Sequence, residues 1–424
     1  MSSTVPETIR DNMRQLSLPS WLLNSHEQQR PAMFDRGFVV IALALYAIGL
    51  VMVASASLPI GEKLHNNPFH FMFRHCFYVV LSLTLAAGAL QVSMATWQRV
   101  SWLLLLLAIA LLVAVLFIGR TVNGSTRWIA IGPINIQAAE PAKLFFFCYL
   151  SAYLVRRRDE VMDNLWGFSK PFLVLFVLAL LLLAEPDLGT VIVMGCTALG
   201  LLFLAGAKLW QFGAIVVAVF SAFFSLAYFE PYRWRRVTSF LQPWADEFGS
   251  GYQLTQSLMA YGRGEVFGIG LGNGIQKLDY LPEAHTDFVM AVVGEEFGFM
   301  GIVLLLAVIL ALVIKALLLG KRALANEKYF EGFFAYAIGI WLSFQAAVNV
   351  GASAGVFPTK GLTMPLISYG GSSMLVMTLA IVVLIRIDHE LRLQTIQATV
   401  KNDAGGNKSR RVKTTNKEEG VSSE

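Results

Sequence analysis

Long apolar runs separated by short polar connections dominate the chain from residue 37 to residue 387. A helix needs about 20 apolar residues to cross the hydrocarbon layer of a bilayer. Runs of this kind lie at 37–57, 75–92, 101–118, 138–155, 170–184, 187–205, 210–229, 287–318, 329–351 and 366–387. The runs on either side of residues 185–187 are short, but the polar proline turn between them favours two crossings. The pattern predicts an all-α polytopic membrane protein with about ten transmembrane helices.

The composition supports a membrane protein, because 56% of the 424 residues are hydrophobic and only 14% are charged. So much apolar material exceeds what one water-soluble core can hold. The net charge of +5 implies no nucleic acid partner. The His-x-x-x-His and paired-cysteine spacings typical of zinc sites and a phosphate-binding Gly-x-x-x-x-Gly-Lys loop are absent, which argues against ATP-driven transport. The three cysteines lie in apolar runs, so no disulfide framework is expected.

Lysine and arginine indicate the side of each loop, because cations in short loops stay in the cytoplasm. They concentrate in alternate connections, at Arg99, 156–158, Lys170, Lys208 and 315–328. Both termini are therefore predicted to be cytoplasmic, with a large outer loop at about 230–286 between helices 7 and 8. Residues 1–36 form a cytoplasmic segment without a cleavable signal, 37–390 form the membrane domain, and 391–424 form a cytoplasmic tail whose composition predicts disorder.

Residues 282–288 place Glu283, His285 and Asp287 where the outer loop meets an apolar helix. An ionisable group at membrane depth usually faces a partner, a cavity or a pathway, so Asp287 is a candidate functional residue. Alternatively, Thr286 or Asp287 caps the following helix. Burial would raise the pKa of Asp287, whereas nearby arginines would lower it.

Other polar clusters also fall on the outer side. Residues 123–129 read as a turn leading into Arg127 and Trp128, and this tryptophan is either a membrane anchor or part of a site. Glu140 and Lys143 lie three residues apart and are expected to form an ion pair on one helix face. Asp187 is expected to cap a helix, with cation binding as the alternative.

The outer loop begins with Arg233, Arg235 and Arg236 among aromatic residues, which suits a lipid headgroup that carries phosphate. Glycines at 262–274 permit sharp turns and close backbone approach. Residues 358–373 add Lys360 and several hydroxyl groups, and Gln345 and Asn349 in the preceding run are expected to bridge helices. Together these clusters predict an outward-facing polar cleft for a lipid-linked phosphate substrate, used either for glycosyl transfer or for transport.

Four motifs in order make the chain resemble the SEDS family (shape, elongation, division and sporulation) from about residue 35 to residue 395. They are residues 124–129, 186–190, 281–288 and 367–373, at family-like spacing. Residues 261–278 look like the cell-division branch rather than its elongation paralogue, RodA. The resemblance implies the SEDS fold of ten spans in the bacterial inner membrane.

The resemblance also implies a glycosyltransferase that polymerises lipid II into peptidoglycan strands at the septum, on the periplasmic face. Asp287 matches the essential acid of the family and would activate the GlcNAc 4-hydroxyl of incoming lipid II. Undecaprenyl pyrophosphate would leave from the undecaprenyl-linked glycan. Arg127 and Trp128 match positions important for activity and are expected to bind substrate.

Further residues are our own nominations and are not carried over from matched family positions. Candidate pyrophosphate contacts are Arg233, Arg235, Arg236 and Lys360, and candidate supporting residues are Glu140, Lys143, Asp187, Glu283, His285, Ser368 and Ser372. The implied partners are a class B penicillin-binding protein, here FtsI, which supplies cross-linking, and the division regulators FtsQ, FtsL, FtsB and FtsN.

The chain departs from the family pattern at two places. Residues 138–140 read Ala-Ala-Glu where Pro-Ser-Glu or Pro-Ala-Glu is common, and Glu185 stands where Gln is commoner. No cofactor is otherwise indicated, but Glu185 beside Asp187 favours a divalent cation such as Mg²⁺. Two other functions remain open. A lipid II flippase would need a continuous polar route through the bilayer, and a scaffold for division proteins would leave the carboxylate and cations of the cleft unexplained.

Overall fold

The computed structural model describes residues 34–122, 125–132, 134–208, 210–213, 217, 242–249, 251–357 and 361–418. These residues form eleven α-helices, three short strands and one 3₁₀ turn. The elements in chain order are α1 (Arg36–His65), α2 (His70–Ala89), α3 (Met94–Ile118), β1 (Arg120–Val122), β2 (Ser125–Ile131), β3 (Ile134–Gln137), α4 (Ala139–Arg156), α5 (Arg158–Asp163), α6 (Leu165–Ala184), α7 (Leu188–Leu204), a 3₁₀ turn (Pro243–Asp246), α8 (Tyr252–Gly264), α9 (Val289–Ala325), α10 (Tyr329–Ser353) and α11 (Gly371–Glu418).

Nine of the ten predicted apolar runs coincide with a described helix. The run at 210–229 lies almost entirely outside the described residues. Within the described part of the chain, seven helices are long and apolar enough to cross a membrane, and α7 is a shorter apolar helix. The polytopic helical architecture is confirmed. The predicted run at 138–155 corresponds to α4, which carries the buried Glu140 and Lys143.

Side-chain caps begin several of these helices. Asp35 accepts a hydrogen bond from the Gly37 amide at the start of α1 (2.7 Å), and Asn164 accepts one from the Trp166 amide at the start of α6 (3.0 Å). Such caps satisfy amides that have no intrahelical partner. The helix ends are therefore fixed by polar residues next to the apolar runs.

Helices α10 and α11 form the centre of the bundle. In their most apolar windows 67% and 78% of the residues are buried, against 22% in α2. Small residues let α9 and α10 approach closely, since a Cβ on Gly332 would lie 2.7 Å from the Leu324 side chain. Most residues of the central helices are therefore buried in the bundle, whereas most residues of α2 lie on its surface.

A small antiparallel sheet lies between α3 and α4, in the order β1-β2-β3. The sequence pattern predicted only a turn before Arg127, whereas the structure places residues 125–131 in β2. Trp128 is paired with Arg120 on one side and with Gln137 on the other. Alternating side chains of a strand point to opposite faces, so Arg127 and Trp128 face different surroundings.

Helix α9 is interrupted at Gly298, where the backbone adopts φ 67° and ψ −166°. Residues 289–296 are all buried, whereas later residues of α9 alternate between buried and exposed. The segment that packs against the interruption is residues 265–274, called here the glycine loop. The Gly268 Cα approaches so closely that a Cβ would lie 2.2 Å from the Glu296 carbonyl oxygen.

Helix α11 continues to Glu418 and so includes residues 391–418, for which the sequence predicts disorder. The physical reason for the difference is helix cooperativity. Extending a helix that tertiary packing already holds costs less free energy than nucleating a new one, so a polar segment can continue it.

Candidate functional site

Asp287 lies in the turn that precedes α9, with its side chain half-buried. The side-chain Nδ2 of Asn349 in α10 donates to the Asp287 backbone carbonyl (2.9 Å) and also to the Leu362 backbone carbonyl (2.6 Å). The capping alternative is not observed, because Phe288 is the N-cap position of α9 and no side chain caps it. Asp287 is therefore positioned through its backbone, and its carboxylate has no capping role.

Arg127 comes to the same place from β2. Its Nε donates to the Glu185 carbonyl (2.8 Å) and its Nη2 donates to the Pro186 carbonyl (2.6 Å). A Cβ on Gly361 would lie 3.0 Å from Asp287 Oδ2 and 3.6 Å from Arg127 Nη1. The guanidinium and the carboxylate thus border one small space, and Gly361 keeps that space open.

Burial raises the pKa of Asp287 to about 7, from an ordinary value of 3.8. The charges of Glu283 and Asp187 add to this increase, while the positive charge of Arg127 opposes it. The sequence alone did not give the direction of the pKa shift of Asp287. In the structure desolvation determines it, because burial disfavours the charged form. A carboxylate with a pKa near the ambient pH is suited to act as a general base.

Trp128 is half-buried next to Arg127 on β2. The neighbouring strand β3 is attached to the start of α11 through Ser372, whose hydroxyl accepts from the Gln137 amide and donates to the Asn135 carbonyl (both 2.9 Å). Ser372 therefore attaches the sheet that carries Arg127 to the start of α11.

The segment 361–370 forms another wall. Ser368 accepts from the Met364 amide (2.9 Å), and the Thr363 hydroxyl is hydrogen-bonded to the Ser373 hydroxyl (2.8 Å). Gln345 of α10 donates to the Thr363 carbonyl (3.0 Å). Gln345 also accepts from Lys143 of α4, so its predicted bridge between helices is observed. Asn349 instead binds two non-helical segments, and both residues hold the segment 361–370 beside Asp287.

Glu140 and Lys143 form the predicted ion pair, with a distance of 2.9 Å and both side chains buried. Lys143 also donates to Gln345 Oε1 (2.9 Å), and its Nζ lies 5.3 Å from the centre of the Trp341 ring. A buried ammonium needs this full set of partners. The pair therefore supports the segment that contains Thr363 from within the bundle.

Glu283 and His285 support the turn before α9. Glu283 accepts from the Thr286 hydroxyl (2.7 Å). The buried His285 ring packs against Phe71 and Tyr369, at centroid distances of 4.9 and 5.5 Å. Burial lowers the pKa of His285 even though the charge of Glu283 opposes this change. His285 is thus a neutral packing residue at neutral pH.

The residues suggested for a divalent cation have other roles. Asp187 caps α7, as predicted, by accepting from the amide (3.1 Å) and the hydroxyl (2.8 Å) of Thr190. Burial and the charge of Asp187 raise the pKa of Glu185 to about 8, against the effect of Arg127. A protonated carboxyl is a poor ligand for a hard cation. The described residues contain no group of three or more potential ligands, so this arrangement does not fit a resident Mg²⁺ ion.

A cavity of about 200 Å³ lies beside the turn that precedes α9. It is bordered by α1 and by residues 277–285, and its polar lining includes Lys63, Lys277, Asp279, Glu283 and His285. Segment 281–285 thus lines this cavity immediately before Asp287.

Four predicted substrate contacts, Arg233, Arg235, Arg236 and Lys360, lie outside the described residues.

A buried network that the sequence analysis did not predict joins Ser55, Lys277 and Glu296. Glu296 accepts from Ser55 (2.7 Å) and forms an ion pair with Lys277. Only the charge of Lys277 and Glu296 within an otherwise apolar region could have signalled it, since their partners are distant in sequence.

Comparison with known proteins places this site in a family. The family model FTSW_RODA_SPOVE, described as "Cell cycle protein", matches residues 35–393. The chain is 60% identical over 365 residues to the "Probable peptidoglycan glycosyltransferase FtsW" of Pseudoalteromonas atlantica, covering 86% of this chain and 75% of that one. It is 57% identical over 385 residues to the protein of the same name from Aeromonas salmonicida, covering 91% and 97%.

Solved structures agree with these sequence relationships. A chain from "Structural coordination of polymerization and crosslinking by a peptidoglycan synthase complex" superposes with a TM-score of 0.69 at 28% identity, covering 85% of this chain and 99% of that chain. The rod shape determining protein RodA of Thermus thermophilus gives a TM-score of 0.62 at 28% identity, with 85% and 97% coverage. The chain therefore belongs to the family of cell-cycle proteins that comprises FtsW, RodA and SpoVE.

Proposed function

We propose that this protein is a peptidoglycan glycosyltransferase that polymerises lipid II into glycan strands at the division septum. The observation that carries the proposal is the position of Asp287. A carboxylate with its pKa raised to about 7 borders the same space as the Arg127 guanidinium. An acid and a fixed cation at one place suit a reaction in which a proton is removed and a phosphate leaves.

In the proposed reaction, the Asp287 carboxylate takes the proton of the GlcNAc 4-hydroxyl of incoming lipid II. The hydroxyl oxygen then forms a bond with the anomeric carbon of the lipid-linked strand. The bond between that carbon and the pyrophosphate oxygen breaks, and its electron pair leaves with undecaprenyl pyrophosphate. Asp287 ends the step protonated and loses this proton to water before the next addition.

Arg127 is suited to stabilise the leaving group. Its Nε and Nη2 are already bonded to neutral carbonyl groups, which fixes the guanidinium without neutralising its charge. Nη1 is directed toward the space beside Gly361. A pre-positioned cation stabilises charge that develops on a departing phosphate, and it does so without reorganising during the reaction. Lys360 and Arg233, Arg235 and Arg236 are proposed as further pyrophosphate contacts.

Relatives support the reaction and the setting. Proteins 53–60% identical to this chain carry the name peptidoglycan glycosyltransferase FtsW. Since a structural relative belongs to a peptidoglycan synthase complex, we propose a class B penicillin-binding protein, FtsI, as the cross-linking partner. FtsQ, FtsL, FtsB and FtsN are proposed as regulators. The proposed location is the bacterial inner membrane at the septum, with Asp287 on the periplasmic face.

The test supplies labelled lipid II to the purified protein with its penicillin-binding partner. Wild type should form glycan strands, whereas Asp287→Asn and Asp287→Ala should not. Glu247→Gln is the matched control, because Glu247 is an exposed carboxylate in the predicted outer loop and makes none of the site contacts described above. Strand formation by Asp287→Asn at the wild-type rate would refute the proposed base.

The same protein in sealed vesicles distinguishes the flippase alternative. Movement of labelled headgroup across the bilayer without strand formation would favour transport. The proposal predicts strand formation that depends on Asp287 and no translocation that depends on it.

A further inference from the structure

The glycine loop and the interruption in α9 complete each other's backbone hydrogen bonding. In an uninterrupted helix the Phe299 and Met300 amides would donate to the Glu295 and Glu296 carbonyls. Instead, Phe299 donates to the Glu265 carbonyl (2.9 Å) and Met300 donates to the Val266 carbonyl (3.0 Å). The two amides therefore bond to the loop, and the Glu295 and Glu296 carbonyls are left free to accept from it.

Two amides of the glycine loop donate to these two carbonyls of α9. The Ile269 amide donates to the Glu295 carbonyl (3.1 Å), and the Gly270 amide donates to the Glu296 carbonyl (3.0 Å). This reciprocal pairing satisfies the two amides and the two carbonyls with protein rather than with water. Irregular backbone at membrane depth is tolerated only when protein satisfies its polar groups.

The position of the interruption along α9 gives its depth. Lys315, nearer the other end of α9, is paired with Asp35 at the N-cap of α1 (2.6 Å), and this pair marks a polar boundary. Gly298 lies about 26 Å from Lys315 along the helix axis at 1.5 Å per residue. The hydrocarbon layer is about 30 Å thick, so the interruption falls within the far leaflet.

The exposed side chains of residues 266–271 are apolar. Phe267 is 81% exposed, and Val266 and Leu271 are 50% and 53% exposed. They continue the exposed apolar surface of α9, which includes Phe299 and Leu304. Exposed apolar side chains that extend a lipid-facing helix surface are expected to contact lipid rather than water.

We infer that residues 266–271 are embedded in the membrane leaflet far from Lys315, where Val266, Phe267 and Leu271 contact lipid hydrocarbon chains. The inference concerns lipid contact alone and is independent of the proposed reaction.

The test uses nitroxide labels on the full-length protein in vesicles of phosphatidylethanolamine and phosphatidylglycerol. Cys76, Cys148 and Cys196 are first replaced by serine, because these are the chain's three cysteines. Single labels are then placed by Phe267→Cys, by Leu304→Cys as the lipid-facing control, and by Asp159→Cys as an exposed control outside the spanning helices. Collision with oxygen, which partitions into lipid, is compared with collision with a water-soluble nickel chelate.

The ratio of oxygen to nickel collisions at residue 267 should match that at residue 304 and exceed that at residue 159 several-fold. A ratio at 267 equal to that at 159 would overturn the inference, since the loop would then face water. A label at 267 shielded from both reagents would overturn it as well, because a protein surface would then cover the loop. Unchanged thermal unfolding of each labelled protein shows that the fold persists.

Discussion

Two acids that flank the buried residues 289–295 of α9 differ in the partners of their carboxylates. Glu296 is buried, accepts hydrogen bonds from Ser55 on both oxygens, and is paired with Lys277. Asp287 is half-buried, and among the described residues no side chain or amide donates to its carboxylate. Both acids lie close to the same cavity lining, yet only one has its acceptor capacity filled.

The difference separates a structural acid from a reactive one. The Lys277 ammonium and the Ser55 hydroxyl give the Glu296 carboxylate a structural role. A carboxylate that is desolvated without donors has a raised pKa and can accept one. The fold therefore leaves Asp287 able to act on a substrate while Glu296 holds the loop beside it.

The largest expected effect is on the rate of strand formation by Asp287→Asn. We expect a loss of about 10²–10⁴-fold, since that is the usual contribution of a positioned general base. The unfolding temperature should not fall, because no hydrogen bond from a described residue to the carboxylate is removed. Comparable loss of both activity and stability would show that Asp287 is a structural residue like Glu296.

Glu296→Ala should instead destabilise the protein by about 3–5 kcal/mol, because it leaves the buried Lys277 ammonium without its partner. Thermal unfolding in mild detergent measures the loss. The double variant Lys277→Met with Glu296→Leu is the control and should recover most of the stability, since apolar replacement of a buried pair is often neutral. A stable but inactive Glu296→Ala protein would place this acid in the reaction and end the comparison.

The raised pKa of Asp287 also predicts how stability depends on pH. The folded state keeps the Asp287 proton up to about pH 7, whereas the unfolded chain loses it near 3.8. Ionisation therefore costs the folded state free energy, and this contribution to stability is lost as the pH rises from about 4 to 7. Asp287→Asn should be more stable than wild type at pH 8, and the difference should disappear at low pH. A wild-type protein that is stabilised over this range relative to the variant would contradict the raised pKa.

Ser372→Ala should have the smallest effect, about 1 kcal/mol of stability, because it removes hydrogen bonds between β3 and α11. Thermal unfolding measures it against Ser343→Ala, whose hydroxyl bonds only within its own helix. A larger loss of activity than of stability would indicate that movement of the sheet displaces Arg127.

The helices were largely predictable because each apolar run is long and is bounded by polar or proline-containing turns. The Glu140–Lys143 pair and the Asp187 cap were predictable too, since both depend on residues three positions apart. Contacts of this kind are local, so spacing along one helix is enough to identify them.

Contacts between distant residues could not be predicted in the same way. The Glu296 network joins residues 55, 277 and 296, and no spacing rule relates them. The interruption at Gly298 depends on hydrogen bonds from the glycine loop. The direction of the Asp287 pKa shift required knowing that burial outweighs the single guanidinium of Arg127.

The central claim, that Asp287 is the donor-poor acid that removes the hydroxyl proton, is tested most directly by the pH dependence of strand formation. The rate with labelled lipid II at limiting concentration should rise with pH and level off above about pH 7, following the pKa of Asp287. A rate that levels off near pH 4, or that does not change between pH 5 and 8, would contradict it.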